Sequence, residues 1–530
     1  MSSVSPIVPA VPGRSAVWGA QGMVASSQPL ASALGLDVLR NGGNAFDAAV
    51  TMAAVLAATE PMATGPGGDL FAMVHLGATG QRRVLNASGR APAQLTAESL
   101  IDRGHTTMPQ RGAHTVTVPG AVDGWVRLLE EHGTWSLADA LAPAIAVAEQ
   151  GYCVAEKTAR EWQDAAALLE RDADSARHYL PAGRPPQAGQ HLCLPALGRT
   201  LRLLAREGRS AMYEGAIGDA IVTAVRRAGG HLAHDDLAQH HGTWTEPIAT
   251  DYRGHTVWQA PPNGQGVLVL LALGILQGLD MRALGREFGS AAHAIIEATR
   301  LAFEVRDERL ADLSESAVEA LLEPAFIYGL RERIDLEHAA PARPRPGGGD
   351  TTALTVVDRD RNAVSLLNSL YDDFGSGLTA GETGVVLHGR GACFRLQPGH
   401  PNCVGPARRP LHTLLPAMVT RDDALVMVLA VMGAQMQPQG QVQILHHVLD
   451  RGLGLQAAID HPRVGIRDNG AIAVDDGLTT AVVESLFARG HRRAAVDGYL
   501  GGAQAIALHD GGSRLEGGSD PRKDGLALGY

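Results

Sequence analysis

The sequence predicts a layered α/β fold, and two hydrophobic patterns indicate it. From His293 to Leu313, apolar side chains recur at intervals of three and four residues, which is typical of an α-helix. Short runs rich in β-branched and other apolar residues are typical of strands. They are FAMVHL from Phe71, TVTVPG from Thr115 and LVMVLAVMG from Leu425. Helices and strands interleave without a regular alternating period, which favours stacked layers over a barrel.

Length, charge and hydropathy exclude several classes of protein. The chain has 530 residues, 45% of them hydrophobic and 19% charged, so it can bury a large core and exceeds one ordinary domain. A formal net charge of −11 provides no basic surface for nucleic acid or an anionic membrane. The longest apolar runs, AVTMAAVLAA and GVLVLLALGIL, are shorter than the roughly 20 residues that span a bilayer. We therefore expect neither nucleic-acid nor membrane partners.

The cysteines and the opening residues favour a cytoplasmic protein. The four cysteines are too sparse for a disulfide framework and show no C-x-x-C spacing. The opening sequence MSSVSPIVPAVPGRSAVW has no charged segment ahead of an unbroken apolar stretch, as a secretory signal would have. We therefore expect a reducing, cytoplasmic compartment.

The sharpest change of composition is the segment AAPARPRPGGGD, from Ala339 to Asp350. Three prolines followed by three glycines cannot hold a helix, so the segment is expected to be extended and then flexible. A flexible linker is the ordinary interpretation of such a stretch. The residues that follow it suggest a second role.

Thr351 and Thr352 directly follow this segment and begin two predicted strands joined by the turn DRDRN. A threonine at the start of a strand is usually only a β-branched strand residue. Here the glycines would let the Asp350 carbonyl approach the Thr351 hydroxyl, which the strand holds in place. An N-to-O acyl shift and hydrolysis of the ester would then leave Thr351 as a new N-terminus. Its α-amine, with a pKa of about 7.7–8.0, would be a base beside its own hydroxyl.

Several motifs, in order along the chain, resemble the γ-glutamyltransferase family of N-terminal nucleophile (Ntn) hydrolases, and within it the acylase-like and oxamate-amidohydrolase-like branch. The resemblance implies a four-layer αββα sandwich that cleaves itself between Asp350 and Thr351. A large fragment, 1–350, and a small fragment, 351–530, would together form one αββα unit as a heterodimer, and a dimer of such heterodimers stays open. The motifs are RNGGNAFDAAV, EPMATGPGGDLF, VPGAVDGW, EATRLAFEVRDERLAD, DTTALTVVDRDRNAVSLLNSLYDDFGSG, ARRPLHTLLPAM and GGSDPRKDGLALGY.

The resemblance also implies a set of catalytic residues. Thr351 lies at the position of the family's nucleophile, and Ser369 lies where the family has a threonine that hydrogen-bonds the nucleophile. Gly433 and Ala434 lie where a Gly-Gly pair supplies backbone N–H groups to the oxyanion hole, and alanine can supply the same N–H group. An ordinary turn at the end of a strand would explain Gly433 equally well.

The residues expected to bind substrate depart from the family's γ-glutamyl pattern. Ser88 lies where the family has an arginine for the glutamyl α-carboxylate, and Cys393 lies where it has an acidic residue for the α-amino group. Tyr371 replaces that residue's asparagine partner, and His412 and Thr413 replace a pair of serines. Since both charged anchors are absent, glutathione is not expected to be the substrate.

Arg90, Tyr371 and His412 could instead bind one carboxylate or carbonyl group near the scissile amide. Each also has a structural explanation: a surface ion pair, a packed aromatic ring and a core histidine, respectively. We therefore predict hydrolysis of a small non-glutamyl amide, of oxamate or acyl type, through an acyl-Thr351 intermediate. Acyl transfer to a second molecule stays open.

Two alternatives to this prediction stay open. One is a true γ-glutamyltransferase whose anchors lie at other residues. The other is a non-catalytic scaffold of the same fold that is never cleaved. Neither a metal nor a cofactor is expected, because the histidine-rich stretch HLAHDDLAQHHGTW, from His231, lacks an H-E-x-x-H pattern or a second set of ligands.

Overall fold

Two antiparallel β-sheets of seven strands each lie at the centre of the protein. The computed structural model describes residues 13–286, 289–343, 349–496 and 498–530. The first sheet consists, in spatial order, of β1 (Val17–Gly19), β17 (Arg514–Ser519), β16 (Gly502–His509), β13 (Ala424–Met432), β12 (Ala417–Arg421), β9 (His255–Gln259) and β8 (Ile248–Tyr252). The second consists of β18 (Leu526–Gly529), β2 (Met23–Ser26), β10 (Asp350–Val357), β11 (Ala363–Tyr371), β3 (Asp69–His75), β4 (Arg82–Asn86) and β7 (Thr243–Thr245).

Two small antiparallel sheets of two strands each lie outside these sheets. They are β5 (Tyr152–Cys153) with β6 (His191–Leu192), and β14 (Val464–Ile466) with β15 (Ile472–Val474).

The helices fall into two groups, one over each sheet. Those with residues in or beside the core of the second sheet are α1 (Pro29–Arg40), α2 (Ala45–Thr59), α3 (Ala97–Ile101), α4 (Ala121–His132), α5 (Leu137–Gln150), α6 (Glu156–Asp164), α7 (Ala166–Leu169), α8 (Ala173–Tyr179), α9 (Pro195–Glu207), α10 (Arg209–Tyr213), α11 (Ala216–Arg227) and α12 (His234–Ala238). Those that pack on the first sheet are α13 (Gly266–Gln277), α14 (Met281–Leu284), α15 (Ser290–Arg309), α16 (Glu315–Leu322), α17 (Pro324–Arg331), α18 (Met436–Leu449), α19 (Leu455–Asp460) and α20 (Thr480–Ala488).

Three hydrophobic clusters separate these layers. The inward faces of the two sheets meet in a narrow cluster that includes Phe71 and Leu367 from one sheet and Met418 and Ile506 from the other. Larger clusters lie between each sheet and its helices. The order helix, sheet, sheet, helix confirms the predicted four-layer αββα sandwich.

The long apolar runs form helices inside these layers. All fifteen residues of α2 are buried, and Asn44 begins the helix by accepting hydrogen bonds from the backbone N–H groups of Phe46 and Asp47. Helix α13, which contains the run GVLVLLALGIL, is buried along nearly its whole length. Among the residues described, no helix combines the length and the apolar character needed to cross a membrane.

The predicted strand at Thr115 is not a strand. The residues Ala113–Thr115 form a turn of 3-10 helix, and the chain continues as an extended but unpaired segment to Gly120. Val116 and Val118 are nevertheless buried. Pro119 and Gly120 end the run before it can join a sheet, so its apolar character reflects burial alone.

Each of the two large sheets contains strands from both predicted fragments. Strand β9, from the predicted large fragment, lies beside β12 of the predicted small one, and β10 of the small fragment lies beside β2 of the large one. Cleavage before Thr351 would therefore leave the two fragments joined along sheet edges and through shared cores. Residues 344–348 of the predicted linker lie outside the described residues.

Candidate active site

Thr351 lies opposite a β-bulge between β10 and β11. Asp350 pairs with Tyr371 and Thr352 pairs with Asn368, so Ser369 and its neighbour Leu370 both oppose Thr351. A bulge changes the direction in which the neighbouring side chains point. The Thr351 side chain is buried, and its Oγ1 donates a hydrogen bond of 3.0 Å to Ser369 Oγ. The structure thus joins the predicted nucleophile to its predicted hydrogen-bond partner.

Ser369 in turn is held by two further donors. The backbone N–H group of Tyr371 donates to Ser369 Oγ at 2.8 Å, and Arg390 Nη2 donates to it at 3.2 Å. Gln437 Nε2, on α18, lies 3.4 Å from Thr351 Oγ1. The two hydroxyls therefore have a defined orientation inside the protein.

Arg390 is the main residue that the sequence analysis missed. Its guanidinium is completely buried and donates from Nη1 to Thr413 Oγ1 at 2.8 Å as well as to Ser369. It also lies over the ring of Tyr371, 4.9 Å from the ring centre, and its Nη1 is 3.9 Å from Cys393 Sγ. The arginine of the HGRGACF stretch was the available signal, but nothing local in that stretch indicates burial.

A buried carboxylate lies behind Arg390. Asp69 Oδ2 is 3.0 Å from His412 Nε2, 3.2 Å from His388 Nδ1 and 3.6 Å from Arg390 Nε. Burial would by itself raise the pKa of Asp69, but His388 and then His412 lower it well below its ordinary value. Asp69 therefore stays ionised and orients Arg390 from behind.

His412 is a neutral residue of this buried network. The Leu414 N–H group donates to Nδ1 at 3.3 Å, so in the neutral ring Nε2 carries the hydrogen that faces Asp69. Burial, followed by the positive charge of Arg390, lowers the pKa of His412 to about 3. Its contacts are those of a core histidine, the alternative that the sequence left open.

Ser88 and Arg90 have contacts away from the Thr351 hydroxyl. Ser88 Oγ donates to Asn86 Oδ1 at 2.7 Å. Arg90 is half-exposed, donates to the Ala407 carbonyl at 3.1 Å, and lies 3.9 Å from Asp312. The network around Thr351 therefore includes Tyr371 and Thr413 from the predicted substrate residues, whereas Ser88 and Arg90 contact other groups.

Gly433 and Ala434 form the turn between β13 and α18. Both have positive φ angles, 101° and 42°, and a Cβ added to Gly433 would lie 3.1 Å from Gly501 Cα. Backbone N–H groups in such turns, at the entrance to a helix, can bind an anion. The chain before Thr351 passes directly over this turn, since a Cβ added to Gly349 would lie 2.5 Å from Ala434 Cβ.

Two cavities of unequal size lie near this turn. The smaller has a volume of about 30 Å³ and is lined by residues that include Tyr371, Cys393, Thr413 and Gln435. The larger is a cleft of about 980 Å³ that reaches Gly349, Gly433, Ala434 and Gln435. Gln435 thus lines both the small cavity and the large cleft.

The small cavity has a positive wall. Arg306 and Arg395 line it, and both approach one carboxylate, Asp307, at 2.8 Å and 3.6 Å. Burial raises the pKa of the Cys393 thiol, which keeps it neutral. Burial, and then Cys393, raises the pKa of Tyr371. Two guanidinium groups against a single carboxylate leave this wall with a net positive charge.

One buried group of side chains resembles a metal site. Ligand atoms of His293, Glu297 and His491 lie within 4.8 Å of one another. However, the ring nitrogens of His293 and His491 bond each other at 2.8 Å, and Arg300 binds Glu297 at 2.9 Å. With the contact of His293 Nε2 to the Asp335 carbonyl at 2.9 Å, they use both ring nitrogens of His293 and one of His491. Of the histidine-rich stretch, His234 is exposed beside Asp219.

Comparison with known proteins identifies relatives along almost the entire chain. Residues 31–530 match the model of the family described as gamma-glutamyltranspeptidase. The chain is 38% identical to the glutathione hydrolase-like YwrD proenzyme of Bacillus subtilis, over 97% of this chain and 99% of that protein. It is 33% identical to the oxamate amidohydrolase proenzyme of Klebsiella pneumoniae, over 96% and 98% of the two chains.

A solved structure has the same architecture. The crystal structure of a cephalosporin acylase from Bacillus halodurans superposes with a TM-score of 0.91 and 36% sequence identity, over 100% of this chain and 99% of that one. The similarity thus spans both sheets and both helical layers.

Proposed function

Because the chain belongs to the gamma-glutamyltranspeptidase family and is an Ntn hydrolase that acts on amide bonds, we propose that it cuts itself before Thr351 and then hydrolyses amides of a short, anionic acyl group. The relatives named as proenzymes support processing into two fragments. The observation that carries the proposal is the 3.0 Å hydrogen bond between the hydroxyls of Thr351 and Ser369, with Arg390 on the far side of Ser369.

The first reaction is cleavage of the chain. Thr351 Oγ1 attacks the Asp350 carbonyl carbon, the peptide C–N bond breaks, and the proton moves from the hydroxyl to the new amine. Water then hydrolyses the ester, which leaves a carboxylate on Asp350 and a free α-amine on Thr351. The position of Gly349 against Ala434 supports this step, because it brings the peptide before Thr351 next to the proposed oxyanion turn.

The second reaction repeats the same chemistry on an external amide. The neutral α-amine of Thr351 accepts the proton of its own hydroxyl, which attacks the substrate carbonyl. The negative oxygen that forms would be bound by the N–H groups of Gly433 and Ala434. The amine departs with the proton, and water releases the acid from the acyl-Thr351 ester.

The small cavity supports a short acyl group with a negative charge. With a volume of about 30 Å³, against about 980 Å³ for the cleft, the small cavity suits a short acyl group and not a long acyl chain. Its net positive wall, from Arg306 and Arg395, favours an anion. A glutamyl group also needs an anion for its ammonium group, and the neutral thiol of Cys393 offers none. An oxalyl group, as in oxamate, satisfies these limits.

Protein sequencing and an amide screen together test the proposal. We expect the purified enzyme to run as two bands and the smaller one to begin with TTALTV, and we expect ammonia release from oxamate but not glutamate release from glutathione. Active material that remains one chain of 55.5 kDa would contradict self-cleavage. Processed enzyme that turns over glutathione and not oxamate would instead identify a γ-glutamyl enzyme with relocated anchors.

A further inference from the structure

The space on the two sides of the reaction centre is strongly asymmetric. Gln435 lines both the small cavity of about 30 Å³ and the cleft of about 980 Å³. An acyl group stays bound to Thr351 after the amide bond breaks, whereas the amine must leave the enzyme. The small cavity therefore suits the acyl group, and the large cleft suits the departing amine.

The cleft is far larger than ammonia requires. Its volume is at the upper end of the range for sites that bind drug-sized molecules, about 300–1,000 Å³. Ammonia, the leaving group from oxamate, would leave nearly all of it filled with water. A leaving group of many atoms would use the contacts that the cleft provides.

The cleft is also highly charged, with an excess of acids. Six carboxylates and four basic side chains line it. Some of these groups already have partners: Lys523 forms an ion pair with Glu161, and Arg111 lies 2.7 Å from Asp372. The lining acids are Glu161, Asp164, Asp372, Asp373, Asp468 and Asp476, and the lining bases are Arg160, Arg467, Arg493 and Lys523.

Asp468 is one of the cleft carboxylates that can recognise a charged amine. It lies in the turn after β14, on the wall of the cleft. Withdrawal of its carboxyl group from water raises its pKa, while Arg467 and Arg306 lower it and Asp372 raises it. Asp468 lines the cleft together with Gln435, which also lines the small cavity. Asp468 is exposed on the cleft wall, so its carboxylate can form an ion pair with a cation bound in the cleft.

On the basis of the proposed function, we infer that the preferred substrate is a short-acyl amide of a large polar amine that carries a positive charge, and that Asp468 binds this charge. Oxamate would then be a minimal substrate that fills only the small cavity. The acid released is the short dicarboxylate, and the product amine leaves through the cleft. Specificity would come from both ends of the substrate. The small size and positive charge of the small cavity would select the acyl group, and the negative charge of the cleft would select the amine.

Three oxalyl amides test this inference. The substrates are oxamate, Nα-oxalyl-L-lysinamide and Nα-oxalyl-L-norleucinamide, of which the last two differ only by the ammonium group at the end of the side chain. We expect kcat/KM for the lysinamide to exceed that for oxamate by at least about tenfold. It should exceed that for the norleucinamide by about fivefold, the effect of a partly shielded ion pair.

Variants of two aspartates test whether Asp468 causes the preference for the charged amine. Asp468→Asn should remove the roughly fivefold preference for lysinamide over norleucinamide and leave oxamate hydrolysis unchanged. Asp422→Asn, at an exposed position in the turn between β12 and β13, is the matched control and should change none of the three rates.

The outcomes separate this inference from the proposed function. Equal rates for lysinamide and norleucinamide, or a faster rate for oxamate than for either, would overturn the inference but not the proposed function. A uniform loss on all three substrates in Asp468→Asn would show that Asp468 supports the site and does not recognise the amine. If the processed enzyme hydrolyses none of the oxalyl amides, both the proposed function and the inference fail.

Discussion

Thr351 Oγ1 and Ser369 Oγ lie 3.0 Å apart although 18 residues separate them in the sequence. The hairpin of β10 and β11 brings the two residues to the same end of the sheet, and the bulge places Ser369 opposite Thr351. Arg390 then fixes Ser369 from the other side. The proposed nucleophile is therefore oriented by groups that are themselves buried and hydrogen-bonded.

Replacing Thr351 tests its dual role in cleavage and turnover. Thr351→Ala removes the hydroxyl, so the chain should remain a single band of 55.5 kDa and release no ammonia from oxamate. Thr351→Ser keeps a hydroxyl but loses the methyl group that restricts its rotation, so processing should be slower and still complete. Denaturing electrophoresis over several days measures both. Full processing of Thr351→Ala would rule out this hydroxyl as the nucleophile.

Replacing Arg390 should impair chemistry more than folding. Arg390→Gln removes the two charged hydrogen bonds to Ser369 and Thr413, so kcat should fall by about 10- to 100-fold, which corresponds to about 1.4–2.7 kcal/mol. The loss of a positive charge near the Thr351 amine should also raise the pKa of that amine. The acidic limb of the kcat/KM profile should therefore move to higher pH.

Two further variants control for loss of structure at Arg390. Arg390→Lys keeps the charge and should keep the pH profile in place while losing part of kcat. Arg463→Gln removes another buried arginine, which pairs with Asp520 at 2.6 Å, and should lower the melting temperature without moving the pH profile. If Arg390→Gln and Arg463→Gln have the same effects on kcat and the pH profile, the positioning role of Arg390 is excluded.

The turn at Gly433 and Ala434 should tolerate the loss of a side chain at Ala434 but not the addition of one at Gly433. Gly433→Ala places a Cβ on a residue with φ of 101° and 3.1 Å from Gly501 Cα, so it strains the proposed oxyanion turn by about 1–3 kcal/mol. We expect a fall in kcat of about tenfold or more. Ala434→Gly keeps the N–H group and relaxes a positive φ, so kcat should change little. Comparable losses in both variants would argue against a role for the turn's backbone geometry.

Buried neutral histidines should make the protein less stable in acid. Burial lowers the pKa of His240 to about 4, so below pH 6.5 the unfolded chain binds a proton that the folded chain does not. This contribution to stability is complete above pH 6.5 and is lost as the pH falls toward 4. The free energy of unfolding in urea should therefore decrease between pH 7 and pH 5.

A pair of histidine variants checks this pH dependence. His240→Phe should reduce the slope of unfolding free energy against pH by up to about 1.4 kcal/mol per pH unit. This is the slope expected when the unfolded state binds one proton more than the folded state. His75→Phe should flatten the slope in the same way, because burial also lowers the pKa of His75 to about 4. A slope that is identical in wild type and His240→Phe would show that His240 does not contribute.

Local patterns explain why much of this protein could be predicted. The helical period around His293 predicted α15, and the alternation after Thr351 predicted β10 and β11, because both patterns depend on neighbours within one element. The same reasoning was wrong at Thr115. There, a short apolar run is buried without pairing, and strand formation depends on a partner that the local sequence does not contain.

The sequence alone determined the layered fold, the family, and the threonine on which the proposed chemistry depends, because these follow from hydrophobic periods and contiguous motifs. Only the tertiary structure decided which side chains surround that threonine. Arg390 meets Asp69 across more than 300 residues, His412 faces inward to the same carboxylate, and Arg90 is held at the surface. Such contacts join separate strands and loops, so they depend on how the layers stack. The two unequal cavities beside Gln435 arise from the same stacking, and no single stretch of sequence encodes them.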